Sequence, residues 1–356
     1  MKIAFFGSSL VSAYWNGAAT YYRGILRALD RRGHKITFYE PDAWDRQKYR
    51  DIADPPYARS VVYPANAAEA LRIVREAAGW ADLLIKASGV GVFDSLLEEA
   101  VLEFRTSRNA VVFWDVDAAA TLDRMEADPN DPLRSLIGRY ELVLTYGGGE
   151  AVVQAYEKMG ARKCFPIYNA LDPETHHPVA GSEKFTGDLS FLGNRLPDRE
   201  HRVAEFFFKP ARRQPELRFL LGGSGWEDMA TAYSNIKYFG HVSTNEHNAF
   251  NSAPMSVLNV CRESMARYGF SPPTRLFEAA GAGACVITDA WQGIEWFLEP
   301  GRECLVARDG EEVSEHLFEL TEARAKKIGE AALQRLLAEH TYTHRALQVE
   351  SVLRGL

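Results

Sequence analysis

The chain has 356 residues, 46% hydrophobic and 25% charged, which is the composition of a globular protein long enough for two or three domains. Its formal net charge of -7 argues against a nucleic-acid binder, which normally presents a basic face to the phosphate backbone. Four cysteines, Cys164, Cys261, Cys285 and Cys304, show no CxxC spacing and read as small buried hydrophobes of a reducing, cytoplasmic compartment rather than as disulfides or zinc ligands. No apolar run approaches the ~18 residues of a membrane span. The opening MKIAFFGSS reads as a strand entering a glycine turn, not as a signal peptide.

Taken in order, the elements alternate. KIAFF is an apolar run ending at Gly7, followed by the polar loop SSLVSAYWNG. Tyr21, Tyr22, Ile25, Leu26 and Leu29 then recur at helical spacing, and Arg31, Arg32 and Gly33 supply the cations and the glycine of a helix C-terminus. HKITFYEP is the next strand, so the chain opens β-loop-α-β. The spacing predicts strands in SVVYP, ADLLIKAS, AVVFWDVD and LVLTYG, with helices in AAEALRIVREAAG, FDSLLEEAVLEFRT, DPLRSLIGRY and GEAVVQAYEKMGA. KCFPIYNALDPETHHP carries three prolines and reads as a linker. Alternation then restarts with DLSFLGN, DREHRVAEFFFKPARR, ELRFLLGGSG, IKYFGHV, TNEHNAFNSA, MSVLNVC, RLFEAAGA and ACVITD, and the stretch after Gly310 is mainly helical.

The expected fold class is α/β, with an N-terminal Rossmann-like domain over residues 1–170, a second over 171–335, and a C-terminal helix over 336–356 packing back toward the first domain. Ligands of such sheets bind at the carboxyl ends of the strands. That points to the loops at 7–17, 86–93, 115–120, 147–150, 193–195, 222–226 and 262–278, lining a cleft between the domains.

Several segments carry a resemblance: NALDPETHHP, DLSFLGNRLPDR, RFLLGGSGW, YFGHVS, VLNVCRESM, TRLFEAAGAGACVITDAWQGIEWFLEPGRECLVA and, nearer the start, FWDVDAAATLDR. In order and spacing the chain resembles the GT-B glycosyltransferases, and within them the CgeB-like bacterial glycosyltransferases. The resemblance implies two Rossmann-like domains facing a cleft, and transfer of a sugar from a nucleotide-diphosphate sugar to an acceptor without a bound metal. The C-terminal half would hold the donor and the N-terminal half the acceptor.

The resemblance also carries residues. Glu278 falls where a helix glutamate binds the donor ribose, since a carboxylate accepts two hydrogen bonds from a vicinal diol. Arg275, one turn earlier, would neutralise the diphosphate. Many retaining relatives carry a second glutamate eight residues upstream; that position is Phe270, and Glu263 lies further away, so the motif does not fix a stereochemical outcome. Asn194 and Arg195 follow a strand and offer a phosphate cradle, against the plain alternative of a βα turn. Gly222 opens a glycine-rich turn with room for a ligand, and Trp226 offers a face for a base, against a packed tryptophan. Arg262 at a strand end suits a phosphate, His241 a nucleotide contact and Glu295 the sugar. Asn16 and Gly17 stand at a helix N-terminus, a place that favours anions or the acceptor.

Asp115 and Asp117 end a strand two residues apart, which places them on one side. They are the expected catalytic pair, with Asp117 preferred as the base that takes the acceptor's proton; the plain alternative is a helix cap. His176 and His177 read as structural linker residues. No metal site is expected, although His340 and His344 have an i, i+4 spacing. Glu40 stands where a dinucleotide fold places its ribose acid, which keeps a nicotinamide oxidoreductase as a rival. A nucleotide-sugar epimerase of the same fold, and a non-catalytic sugar-nucleotide binder, are the others.

Overall fold

A computed structural model describes residues 1–14 and 16–355, so Trp15 of the first loop lies outside the described residues. The chain divides into two compact units, residues 1–169 with 342–356, and residues 170–341.

The first unit holds β1 (Lys2–Phe6), β2 (Lys35–Asp42), β3 (Arg59–Pro64), β4 (Leu83–Ala87), β5 (Ala110–Asp115), β6 (Leu142–Thr145) and β7 (Cys164–Pro166) in one sheet of order β3-β2-β1-β4-β5-β6-β7. Every pairing is parallel; Ile3 sits opposite Ile36 on one side and Leu83 on the other. A parallel sheet is covered on both faces, so its central strands are apolar throughout rather than alternating. All five residues of β4 are buried, Lys86 among them. Phe5 stacks on Phe38 and meets Tyr22 of the helix Ala19–Arg31 edge-on.

One expectation needs correcting. Residues 164–166 lie in the stretch read as linker, yet they form β7, with Cys164 opposite Val143. Pro166 is tolerated because the strand is at the sheet edge, where no further strand needs its missing N–H.

The second unit holds β8 (Leu189–Leu192), β9 (Phe219–Gly222), β10 (Ile236–Gly240), β11 (Ser256–Asn259), β12 (Val286–Asp289) and β13 (Leu305–Ala307), ordered β10-β9-β8-β11-β12-β13 and again parallel throughout. Its order repeats that of the first six strands of the other sheet. In both, the chain runs outward one way, returns to the middle and runs outward the other way. The reversal falls between β1 and β4, and between β8 and β11. The segment DREHRVAEFFFKPARR is helical as expected, but with a π turn at Ala204–Phe208 between Pro197–Val203 and Lys209–Arg213. Pro210 has no N–H to give to an α-helical ladder, and the wider turn absorbs that loss.

The last helix, Tyr342–Leu353, belongs to the first unit. Arg345 donates from Nε to the Tyr168 carbonyl at 3.2 Å, and Glu350 receives Arg32 at 2.6 Å and His34 at 3.0 Å. At Gly24 an added Cβ would lie 2.1 Å from the Tyr342 ring. Gly24→Ala should therefore lower stability by about 1–3 kcal/mol. In a helix interior, glycine-to-alanine ordinarily stabilises by about 0.5–1 kcal/mol, so the sign of the change tests the docking directly. Urea unfolding of the two proteins side by side is the measurement.

Candidate functional site

At the carboxyl edge of the second sheet, helix Thr274–Gly281 brings Leu276, Phe277, Ala279 and Ala280 into the core. Glu278 lies on that buried flank too, only 6% exposed. Arg275 makes this possible: one turn earlier, its Nη1 stands 2.8 Å from Glu278 Oε2. Gly281 is the second enabling feature. A Cβ there would meet Leu171 at 2.3 Å, so only glycine lets segment 171–176 lie against the helix. That contact carries His176 to Glu278, with Nε2 3.8 Å from Oε1.

His247 joins them from the start of helix His247–Ser252. Its Nε2 lies 3.2 Å from the Val242 carbonyl, which makes Nε2 the protonated nitrogen; Nδ1 has no hydrogen-bond partner among the described residues. Burial, and then the Arg275 charge, push the His247 imidazole down to about 4. Burial lowers His176 as well, against the pull of Glu278. The ligand-type atoms of His176, His247 and Glu278 lie within 4.8 Å of one another. The Arg275 guanidinium on the carboxylate opposes a dication there and suits a neutral hydroxyl donor. The linker histidine read as structural is thus part of this cluster; the adjacent pair His176 and His177 was its only signal in the sequence.

Three arginines stand together on the same edge. Arg199, in helix Pro197–Val203, is drawn below the usual arginine range by burial and by the Arg262 and Arg275 charges. Its Nε has no hydrogen-bond partner among the described residues, and neither Nε nor Nη1 of Arg275 has one, the contact with Glu278 being poorly aligned. Arg262, following β11, pairs with Asp198 at 2.6 Å. Three arginines that repel one another, two of them with an unpartnered Nε, mark a place for an anion. Arg199 escaped the sequence reading because helix DREHRV alternates charges like any solvated face.

Other expected donor residues are committed elsewhere. Trp226 is fully buried against Phe191 and Phe208, and its Nε1 donates to the Gly193 carbonyl at 2.7 Å, so it offers no face to a base. Gly222 leaves no room for a ligand, because a Cβ would strike Leu192, Val242 and Phe250. The glycines let two loops touch: a Cβ at Gly223, whose φ is +110°, would lie 2.2 Å from the Gly193 carbonyl. Asn194 serves the same seam, accepting from Ser224 N at 2.9 Å. Arg195 is held by Glu200 and Asp228, each at 2.8 Å, instead of waiting for a phosphate. His241, after β10, and Glu295, in the first turn of Ile294–Phe297, are exposed. Phe270, at the position where many retaining relatives carry a carboxylate, takes a left-handed φ of 42° and packs where a Cβ on Gly293 would strike its ring.

In the first unit the two aspartates part company. Asp115 is fully buried and accepts from Ser88 Oγ at 2.6 Å, Tyr156 OH at 2.5 Å, Thr121 Oγ1 at 3.0 Å and Asp117 N at 3.0 Å. Burial pushes its carboxyl up against those bonds. With its acceptor sites filled and no solvent contact, it holds the loop and does no proton chemistry. Asp117 is half-buried at the start of helix Ala118–Ala127 and its side chain does not cap that helix. Asn16 is also structural, bridging Ser8, Ser9 and Ser12 within its own loop, while Gly17 beside it is exposed. Glu40 is sealed in, accepting from Ser9 Oγ, Leu10 N and Gln47 Nε2. It cannot serve as a dinucleotide's ribose acid.

Comparisons with known proteins bear on the fold. Residues 199–351 match the glycosyl transferase-like family. Sucrose-phosphate synthase from Thermosynechococcus elongatus superposes with a TM-score of 0.73 at 14% identity, over 100% of this chain and 98% of its own. HepE of Anabaena, solved with UDP and glucose, gives 0.70 at 14% identity and full coverage of both chains. The T4 phage enzyme BGT, solved with UDP-glucose, gives 0.62 at 14% identity over 99% of each chain. No curated protein matches the sequence. The fold is thereby defined as two Rossmann-like units of the GT-B type, with the glycosyl transferase-like sequence running from residue 199 to 351.

The low His247 value has a stability consequence. Unfolded, the imidazole takes up a proton near pH 6.5; folded, it resists until about 4. The unfolded state therefore binds more protons between those values, and stability falls as pH drops through that window, by at most about 3 kcal/mol. His247→Gln should flatten the loss between pH 7 and pH 4.5, as read by urea unfolding at both.

Proposed function

We propose that this protein is a metal-independent glycosyltransferase that moves a sugar from a nucleotide-diphosphate sugar to an acceptor. The observation that carries the reading is the gathering, on one sheet edge, of three arginines, two with unpartnered nitrogens, beside the buried Glu278 one turn from Arg275. Arg199, Arg262 and Arg275 suit a diphosphate, whose charge grows as the bond to the sugar breaks; fixed guanidinium groups stabilise that charge without a metal. Glu278, with the neutral His176 and His247 beside it, offers acceptors for the two hydroxyls of a ribose. The UDP and UDP-glucose complexes of HepE and T4 BGT favour a nucleotide-sugar donor for this chain as well.

Asp117 is the base we assign to the acceptor hydroxyl. It is the one of the two aspartates with solvent access, and Asp115 fixes its backbone by accepting its N–H. The segments that suggested a CgeB-like member of the fold remain the ground for that narrower assignment. The four unpaired, buried cysteines favour the cytoplasm as its compartment.

The test is binding, by thermal shift and then titration, of a panel of nucleoside diphosphates and their sugars to the wild type, Glu278→Gln and Arg275→Met. One nucleotide should bind, and each variant should lose about 1.5–3 kcal/mol, roughly tenfold to a hundredfold in Kd. Binding of none, or equal binding by both variants, would overturn the assignment.

A further inference from the structure

A cavity of about 210 Å³ lies within the first unit, at the carboxyl end of β4 and β5, with Asp94, Glu98, Phe113, Asp117, Arg124 and Leu133 in its wall. Its volume is below the roughly 300–1,000 Å³ of drug-sized pockets, so it suits one small ring or a short chain. Neither donor binding nor the fold accounts for its charges.

The cations around it are already engaged. Lys86, wholly buried on β4, donates to Asp94 at 2.8 Å and to the Ala87 carbonyl at 2.7 Å. Arg124 turns its Nε to Asp131 at 3.0 Å. Asp94 is equally occupied, since it also accepts from Val90 N and Gly91 N. Glu98 differs. It is 3% exposed, yet its carboxyl accepts no hydrogen bond from any described residue, and Lys86 Nζ, at 3.8 Å, stands beyond hydrogen-bond reach. A carboxylate desolvated without donors is unfavourable, and burial accordingly pushes its carboxyl up. Asp117 adds a second carboxylate on the same wall, and Phe113 and Leu133 keep the interior apolar.

An anionic ligand would face three carboxylates here, and one without a donor would leave Glu98 with only the distant Lys86 ammonium at 3.8 Å, itself committed to Asp94. An ammonium group supplies both the charge and the N–H donors that Glu98 lacks. We propose that this cavity binds a small molecule bearing a primary ammonium group, with Glu98 as its counter-ion and Asp117 receiving a neighbouring hydroxyl. If the transferase assignment holds, on which this clause alone rests, the ligand is the acceptor, an amino-bearing alcohol.

The test compares D-glucosamine with D-glucose, the same ring with a hydroxyl in place of the ammonium, titrated into the full chain and followed by ligand-observed NMR. No donor is needed. Glucosamine should bind at least roughly tenfold more tightly than glucose, about 1.4 kcal/mol. Glu98→Gln should bring it to the level of glucose, and Asp117→Asn should weaken it less. Ala120→Phe, at a half-exposed wall position, should block the cavity while leaving the carboxylates in place, which guards against a Glu98 variant that fails to fold. Equal binding of the two sugars, no binding of glucosamine, or wild-type binding by a folded Glu98→Gln would overturn the proposal. Nucleotide titration of the same samples separates the two readings. Glucosamine binding without nucleotide binding removes the transferase and leaves this site; the reverse result does the opposite.

Discussion

A parallel sheet has to be covered on both faces, and that constraint organises each unit. Every strand is followed by a crossover that packs on a face and returns the chain to the starting edge, so the polar turns leaving the strands collect at the carboxyl edge. Where the strand order reverses, neighbouring turns diverge and leave space. The second unit places Arg262 and the turn at Gly193 beside its reversal, between β11 and β8. The first places Ser88 and Asp117 after β4 and β5. The positions of the reactive groups follow from the cover the sheets require.

Saturation of buried charge then separates scaffold from site. Asp115, Glu40 and Asp289 are all wholly buried, and each is supplied with donors: Asp289 takes Arg202 at 2.6 Å and Cys261 N at 3.1 Å. Such carboxylates tie turns to the sheet and have nothing left to offer a substrate. Glu98 is also buried, and Arg199 and Arg275 are partly so, but none is fully matched. At these places a ligand of complementary charge removes the imbalance. The same criterion explains why Asp115 and Asp117, two residues apart, have different roles.

Much of the architecture was legible. Apolar runs of strand length alternating with amphipathic helices are a direct consequence of buried parallel strands, and nearly every element fell where its periodicity placed it. The misses have local causes. Cys164–Pro166 looked like linker because a three-residue edge strand ending in proline carries little pattern. The π turn at Ala204–Phe208 is invisible to a 3.6-residue period. At the site, Arg275 and Glu278 were readable because i, i+3 neighbours on one helix must meet. Trp226 and Gly222 misled because a glycine-rich turn looks the same whether its space is taken by a ligand or by another loop.

The sequence by itself determined which segments are strands and helices, that they form two α/β units, and which charged residues stand at strand ends. These are properties of neighbours along the chain, set by periodicity, turn chemistry and local charge. Only the tertiary structure decided which of those charges are satisfied. His176 reaches Glu278 because Gly281 lets a distant segment close on its helix. Arg199 meets Arg262 and Arg275 across strands far apart in sequence. Glu98 is left without a donor because Lys86 turns to Asp94. Burial and pairing are sums over contacts from the whole fold, and no window of sequence contains them.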